Sequence, residues 1–170
     1  MKKFKNGFTL IELMVVIVII GILVAIALPN FIAAQGRAKQ TNVKTNSKTY
    51  QTLIETYAVD WNGQYPNSNT SIASEASAKG YDKVYKNPFT GAILTTNGSA
   101  TKVLAEVITG GSEPSSWTGI IPYIGGTDYA GQVIYRRSLP PLYDTYAIYS
   151  LDGNANFILD NGRVFMLSNK

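Results

Sequence analysis

Residues Phe8 to Leu28 read FTLIELMVVIVIIGILVAIAL, an apolar run broken only by Thr9 and Glu12. As a helix this stretch is about 31 Å long, the thickness of a hydrocarbon core of roughly 30 Å. No charge falls between Leu13 and Gly36, and Met1 to Gly7 in front of the run carries three lysines and no acid. A basic start followed by an apolar run also describes a secretory signal, and Ala25-Ile26-Ala27 offers an A-x-A cleavage site. The run is longer than the about 7–15 residues usual for such a signal, and it fits a membrane anchor.

Neither reading accounts for Glu12. A carboxylate inside a membrane helix is costly, and such residues are functional by default, with a partner to be named. The run holds no basic side chain. The nearest cation that chemistry could create is a new N-terminal amine, made by cutting just before the apolar segment.

Gly7-Phe8-Thr9-Leu10-Ile11-Glu12, preceded by Lys2, Lys3 and Lys5 and followed by the apolar helix, resembles the class III signal of type IV prepilins and type II secretion pseudopilins. The pattern covers roughly residues 1–60. The resemblance implies cleavage after Gly7 by a prepilin peptidase, which then N-methylates Phe8, and neutralisation of the Phe8 amine by Glu12. That amine belongs to the same subunit or to a neighbour during assembly. An amine and a carboxylate attract strongly in low dielectric, and either alone is expensive there. The resemblance further implies a homopolymer with copies of itself, a lipid bilayer holding subunits before assembly, an inner-membrane assembly platform and an assembly ATPase. The protein would be a single-pass inner-membrane protein first and a cell-surface filament afterwards.

Processing changes the charge. The whole chain has a net charge of +4, and loss of three lysines leaves 12 basic against 11 acidic side chains. The basic balance is therefore largely the leader's, and there is no strong nucleic-acid signal. Lys2, Lys3 and Lys5 stand against Arg37, Lys39 and Lys44 beyond the other end. A positive-inside count decides nothing, and orientation rests on the leader and on the C-terminal domain.

Pro29 removes one helical hydrogen bond and on its own would end the helix. The resemblance implies that the helix continues with a kink, and that Gly21, Pro29 and Gly36 are points where it bends or melts in a filament. Val43, Tyr50, Leu53, Ile54, Tyr57, Ala58 and Trp61 recur at spacings of three, four and seven, one face of an amphipathic helix. From Phe8 to about Asp60 the helix would be near 80 Å long. Asn62-Gly63 ends it and Pro66 prevents its resumption.

Ser71 to Lys79 is a candidate short helix, Lys86 to Gly91 a turn, and Lys102 to Ile108 is ambiguous between strand and helix. Thr109 to Gly131, Gly-rich and holding Trp117, reads as a long surface loop. Gln132–Arg137, Asp144–Leu151, Asn156–Leu159 and Val164–Leu167 read as strands, with Pro140-Pro141 between the first two and tight turns at Asp152-Gly153-Asn154 and Asp160-Asn161-Gly162. The expected fold is α+β and pilin-like. A long N-terminal helix, transmembrane then amphipathic, packs on a C-terminal antiparallel meander at about 132–167. The division is leader 1–7, membrane or filament-core helix 8–28, amphipathic continuation 29–61, and α/β head 62–170. All eleven tyrosines lie at Tyr50 or later, which suits core packing, a half-exposed sheet or a subunit interface.

The chain has no His and no Cys, which excludes His-based triads, thiolate nucleophiles, disulfides and most zinc or haem sites. No P-loop, G-x-S-x-G or G-x-G-x-x-G is present, so no enzyme is expected. Asp152, Asn154, Asn156 and Asp160 echo the start of a calcium loop, but Phe157 and Arg163 stand where an EF-hand needs Gly and Glu. Two turns of a meander explain them as well, so calcium is a candidate cofactor and otherwise none is expected. The primary functional reading is a type IV pilus subunit serving adhesion, motility or DNA uptake. One alternative is a type II secretion pseudopilin in a short periplasmic filament, and a second is a secreted or anchored binding domain with an ordinary signal peptide.

Overall fold

The computed structural model describes residues 7–67, 69–80, 84–95, 104–106, 130–137 and 145–169. Leader residues 1–6, the loop over 109–129 with Trp117, the Pro140-Pro141 break and Asp144 lie outside them. The chain forms two units, 1–38 and 39–170.

Helix α1 runs Leu10–Asp60 and contains Pro29. Pro29 has no N–H to donate, yet the helix does not stop there. The Asn30 side chain adds a donor nearby, to the Ile26 carbonyl at 3.3 Å. Within the first unit, every large apolar side chain from Phe8 to Ile32 is between 44% and 81% exposed. This part of the helix has no core of its own. Its apolar 18-residue window is long and hydrophobic enough to cross a membrane.

The second unit is built on the rest of α1. Val43, Ser47, Tyr50, Leu53, Ile54 and Ala58 are its buried helix positions, one stripe at helical spacing. The helix stops because Asn62 takes a left-handed φ of 53°, letting the Gly63 N–H reach back to the Ala58 carbonyl at 2.8 Å. Gly63 itself sits at φ 83°. This hydrogen bond to the fifth residue back, around a left-handed residue, is a Schellman stop. Trp61 therefore leaves the helical stripe. Instead of entering the core it is 48% exposed, stacked on Tyr57 with ring centroids 5.5 Å apart.

Helix α2 spans Asn69–Lys79. Lys79 at its end bridges Asp60 at 2.7 Å and Glu75 at 3.0 Å, tying it to the end of α1. The hydrogen bonds to Asp60 and Glu75 raise the Lys79 pKa. Strands β1 (Val84–Lys86) and β2 (Ile93–Thr95) form a hairpin. The main sheet takes β3 (Leu104–Glu106), β4 (Val133–Arg137), β5 (Tyr146–Ser150) and β8 (Met166–Ser168), in the order β3-β4-β5-β8. A small hairpin, β6 (Leu159–Asp160) with β7 (Arg163–Val164), lies between β5 and β8 in sequence.

Two features differ from a plain meander. Strands β4, β5 and β8 are antiparallel as expected, but β3 joins the edge parallel to β4, Leu104 opposite Val133. The stretch over 156–167 is divided between β6, β7 and β8, because Asn161 (φ 50°) and Gly162 (φ 77°) close a two-residue hairpin. Two successive positive φ values give the turn whose twist matches the flanking strands.

The sheet is buried on both faces at β4 and β5. One face sets Val133, Tyr135, Tyr146 and Ile148 against Val43, Tyr50, Leu53 and Ile54 of α1. The other gathers Ile134, Ala147, Tyr149 and Leu151 with Phe157 and Val164. Tyr50, Tyr85, Tyr135, Tyr146 and Tyr149 are consequently core residues rather than members of a half-exposed face. On the second face, Arg136 is buried beside Tyr149; burial lowers the arginine's pKa and raises the tyrosine's.

A polar cluster pins helix to sheet. Tyr146 Oη donates to Glu55 Oε1, Gln51 Nε2 donates to Tyr146 Oη at 2.9 Å, and Tyr65 Oη donates to Glu55 Oε2 at 3.3 Å. Burial first, and then the bond to Glu55, push the Tyr146 phenol well above its ordinary pKa of 10.0. Burial does the same to Tyr85. Above that ordinary value the unfolded chain ionises these phenols while the folded chain keeps them protonated, so folding stability falls as pH rises. Thermal unfolding of the intact chain is expected to show a melting temperature that declines from about pH 10 upward. Tyr146→Phe should make the decline shallower. An unchanged slope would mean that Tyr146 titrates alike in both states.

Candidate functional site: the start of the apolar helix

Gly7 and Phe8 lie outside α1, which begins at Leu10. Thr9 and Glu12 set that beginning. The Glu12 N–H donates to Thr9 Oγ1 at 3.3 Å, and the Thr9 N–H donates back to Glu12 Oε2 at 2.9 Å. The Thr9 hydroxyl also donates to Glu12 Oε2, at 2.8 Å. This is a capping box, which satisfies two of the donors that every helix start leaves open. Its signal, T-x-x-E before an apolar run, is legible in Thr9-Leu10-Ile11-Glu12. The Phe8 amine explains Glu12 from sequence alone but leaves Thr9 without a role, which the cap supplies.

The cap occupies one carboxylate oxygen. Glu12 Oε1 has no partner among the described residues. Glu12 is therefore held in place by Thr9 while one oxygen remains open to a cation. Phe8, four residues before it in sequence, is 81% exposed.

The glycines are informative by what they do not touch. A Cβ at Gly7, Gly21 or Gly36 would meet nothing within 4 Å, and none of the three has a left-handed φ. Gly131 and Gly153 differ, since a Cβ there would come within 2.6 Å and 2.7 Å of the Phe89 ring. Those two glycines seat the Asn87-Pro88-Phe89-Thr90-Gly91 turn, whose buried Asn87 side chain donates to the Ala130 carbonyl at 2.7 Å. Their smallness has a reason inside the subunit. The smallness of Gly7, Gly21 and Gly36 has none there.

The calcium candidates have work elsewhere. Asp152 Oδ1 accepts the Asn154 and Asn156 N–H groups at 2.8 and 2.9 Å, folding the turn that carries Ala155 at φ 60°. The Asp160 carboxylate lies 3.7 Å from Lys44 Nζ, on the small hairpin. The Asn154 and Asn156 side chains are exposed. No group of three or more His, Cys, Asp or Glu residues able to hold a metal occurs among the described residues. Asp152 and Asp160 thus each have a role within the turn and the small hairpin.

Comparison with known proteins bears on this segment first. The family described as the prokaryotic N-terminal methylation motif matches residues 2–28. The chain is 59% identical over 53 residues to the type IV major pilin protein PilA of Myxococcus xanthus (strain DK1622), 31% of this chain and 24% of that one. It is 39% identical over 82 residues to the type IV major pilin protein PilE of Neisseria gonorrhoeae, 47% of this chain and 48% of that one. It is 37% identical over 71 residues to the type II secretion system core protein G of Pseudomonas aeruginosa, 42% of this chain and 49% of that one. The matched regions span from a quarter to about half the length of these relatives. No solved structure matches the chain. The N-terminal segment of the chain is similar to that of type IV major pilins and of a type II secretion core protein, and it carries the prokaryotic N-terminal methylation motif.

The cap gives the site a direct test. Thr9→Val keeps the side-chain shape and removes both hydroxyl bonds to Glu12. Amide exchange over Leu10 to Leu13, measured on the chain in detergent micelles, is expected to quicken about fivefold, the worth of one N-cap. Unaltered exchange would show that the first turn does not depend on Thr9.

Proposed function

We propose that this protein is the structural subunit of a type IV pilus filament. The observation that carries the reading is the charge-free helix from Leu13 to Gly36, whose large apolar side chains the subunit leaves exposed and whose first part lies within the matched N-terminal methylation motif. Before assembly the bilayer covers that surface. In the filament, copies of the same helix cover it, and the heads form the outside. Hydrophobic burial along residues 8–28 of many subunits holds the polymer together. The function is mechanical and no reaction is catalysed.

In this reading a prepilin peptidase cuts after Gly7 and methylates Phe8. Glu12, positioned by Thr9, pairs its open oxygen with a Phe8 amine of its own or a neighbouring subunit, which fixes register. The partners are an inner-membrane assembly platform and its ATPase. Gly21 and Gly36 each cost about 0.5–1 kcal/mol against Ala inside a helix. No contact within the subunit explains them, so we assign them, with Pro29, to bending or local melting when helices pack. The similarity to a type II secretion protein keeps the pseudopilin as the second reading, weaker because pilins and fimbrial proteins recur among the relatives.

Two measurements test the proposal. The intact mass of the protein recovered from the cell surface should correspond to a chain beginning at Phe8 and carrying one extra methyl group. A chain beginning at Leu28 would overturn the reading in favour of an ordinary signal peptide. Glu12→Ala should still insert in the membrane and be cleaved, yet lose most of its filament yield. Normal yield would remove Glu12 from assembly.

A further inference from the structure

Two Asn-Gly pairs lie wholly within the described residues: Asn62-Gly63 after α1, and Asn161-Gly162 at the tip of the β6–β7 hairpin. They are closely matched. Each asparagine is left-handed, with φ 53° at Asn62 and 50° at Asn161, and each glycine follows at φ 83° and 77°. All four residues are exposed. They differ in what the glycine nitrogen does. The Gly63 N–H donates to the Ala58 carbonyl at 2.8 Å, the bond that stops α1. The Gly162 N–H has no partner among the described residues, since the pair that closes this hairpin is Asp160 with Arg163.

That nitrogen is a nucleophile. An Asn-Gly pair in water reacts with itself: the glycine nitrogen loses its proton to solvent and attacks the asparagine Cγ. The side-chain amide leaves as ammonia, and a five-membered succinimide forms. Water then opens the ring at either carbonyl, giving aspartate or iso-aspartate. One water is consumed, one ammonia is released, and nothing is oxidised. Glycine favours the closure because no Cβ obstructs the approach.

We propose that Asn161 is a site of spontaneous deamidation in the folded protein, and that the helix stop protects Asn62 from the same reaction. To close the ring at Asn62, Gly63 must release Ala58 and α1 must lose its stop. At Asn161 only the tip of a hairpin with two residue pairs has to move. The reaction proceeds in the single subunit, whether or not it assembles. Its product places a second carboxylate beside Asp160, which lies 3.7 Å from Lys44. Aspartate preserves the length of the backbone and tolerates the left-handed region as asparagine does. Iso-aspartate adds one carbon to the backbone of a turn built for two residues, which breaks the pairing of Asp160 with Arg163. Val164, on the same hairpin, packs with Phe157 against the second sheet face, so that product loosens part of the face's cover.

The full-length chain in detergent micelles is held at mildly alkaline pH, and peptide mass spectrometry follows replacement of NH2 by OH at each asparagine. Asn161 is expected to convert about fivefold faster than Asn62, the worth of one intramolecular hydrogen bond. With the head unfolded in urea the two rates should draw together, since neither glycine nitrogen is then held. Equal rates in the folded chain, or faster loss at Asn62, overturn the assignment. A difference that persists unchanged in urea overturns it too, because the fold would not be its cause. Electron-transfer fragmentation separates the aspartyl product from the iso-aspartyl one. In the iso-aspartyl fraction the Phe165 N–H, which donates to the Ile158 carbonyl at 2.8 Å, should exchange about fivefold faster than in the parent. Asn161→Asp carries the charge without the added backbone atom and should exchange as the parent does. Equal exchange in all three would overturn the loosening of the hairpin.

Discussion

An apolar helix longer than the subunit can cover governs this molecule. From Phe8 to Ile32 all large apolar side chains face outward and none is buried. At roughly 25 cal/mol for each Å² of apolar surface, such a helix cannot stay in water, and its cover must come from lipid or other protein chains. On the proposed function, the subunit works while this helix is embedded in lipid or packed against other copies. The absence of charge from Leu13 to Gly36 makes lipid and a bundle of identical helices equivalent solvents for it. Exchange between those two environments is therefore feasible without stripping water from charged groups.

The same helix then changes employment without ending. Beyond Lys39 its apolar residues narrow to one stripe, and the sheet supplies the cover. Tyrosine does much of this packing. Tyr50 meets Tyr85 and Tyr135 edge to face, and Tyr65 meets Tyr146 in the same manner. With no disulfide available, the C-terminal end is tied down by hydrogen bonds instead: Asn169 Oδ1 accepts the Tyr146 N–H and Asn169 Nδ2 donates to Tyr65 Oη. Helix, sheet and chain end thereby meet around Glu55.

What could be read from residues alone was whatever depends on local chemistry. The Asn62-Gly63 stop, the Asn161-Gly162 hairpin and the helical stripe from Val43 each follow from backbone preferences or periodicity within a few residues. The antiparallel strands β4, β5 and β8 followed from pattern as well, whereas continuation of the helix past Pro29 followed only from the family resemblance, since the proline by itself argues for a stop. What escaped were relations between distant segments. A three-residue strand such as Leu104–Glu106 has too little sequence to announce a parallel partner at Val133. Burial of the second sheet face depends on Phe157 and Val164 arriving from a separate hairpin. Trp61 fitted the apolar period by number, but the left-handed Asn62 ends the helix that gave the number meaning. At the site, Gly7, Phe8 and Glu12 were conspicuous because membrane context makes a lone acid expensive. Thr9 was overlooked because its partner was only three residues away and already had an explanation.

That local pairing changes how Glu12 should be understood. A carboxylate waiting in an apolar helix for an amine would be costly for the whole interval before the amine is made. The Thr9 N–H and hydroxyl reduce this cost by satisfying one oxygen within the same turn, and they fix the direction of the side chain. On the proposed processing, Glu12 would serve in the uncut chain as a helix cap and in the cut chain as a counter-ion through the oxygen that Thr9 leaves open. The three-residue spacing from Thr9 makes the capping box, and on the proposed processing the amine would be created one residue before that cap. Cleavage after Gly7 would add a charge to an arrangement already formed, so the acid that looked anomalous in the sequence is the first part of the site to be in place.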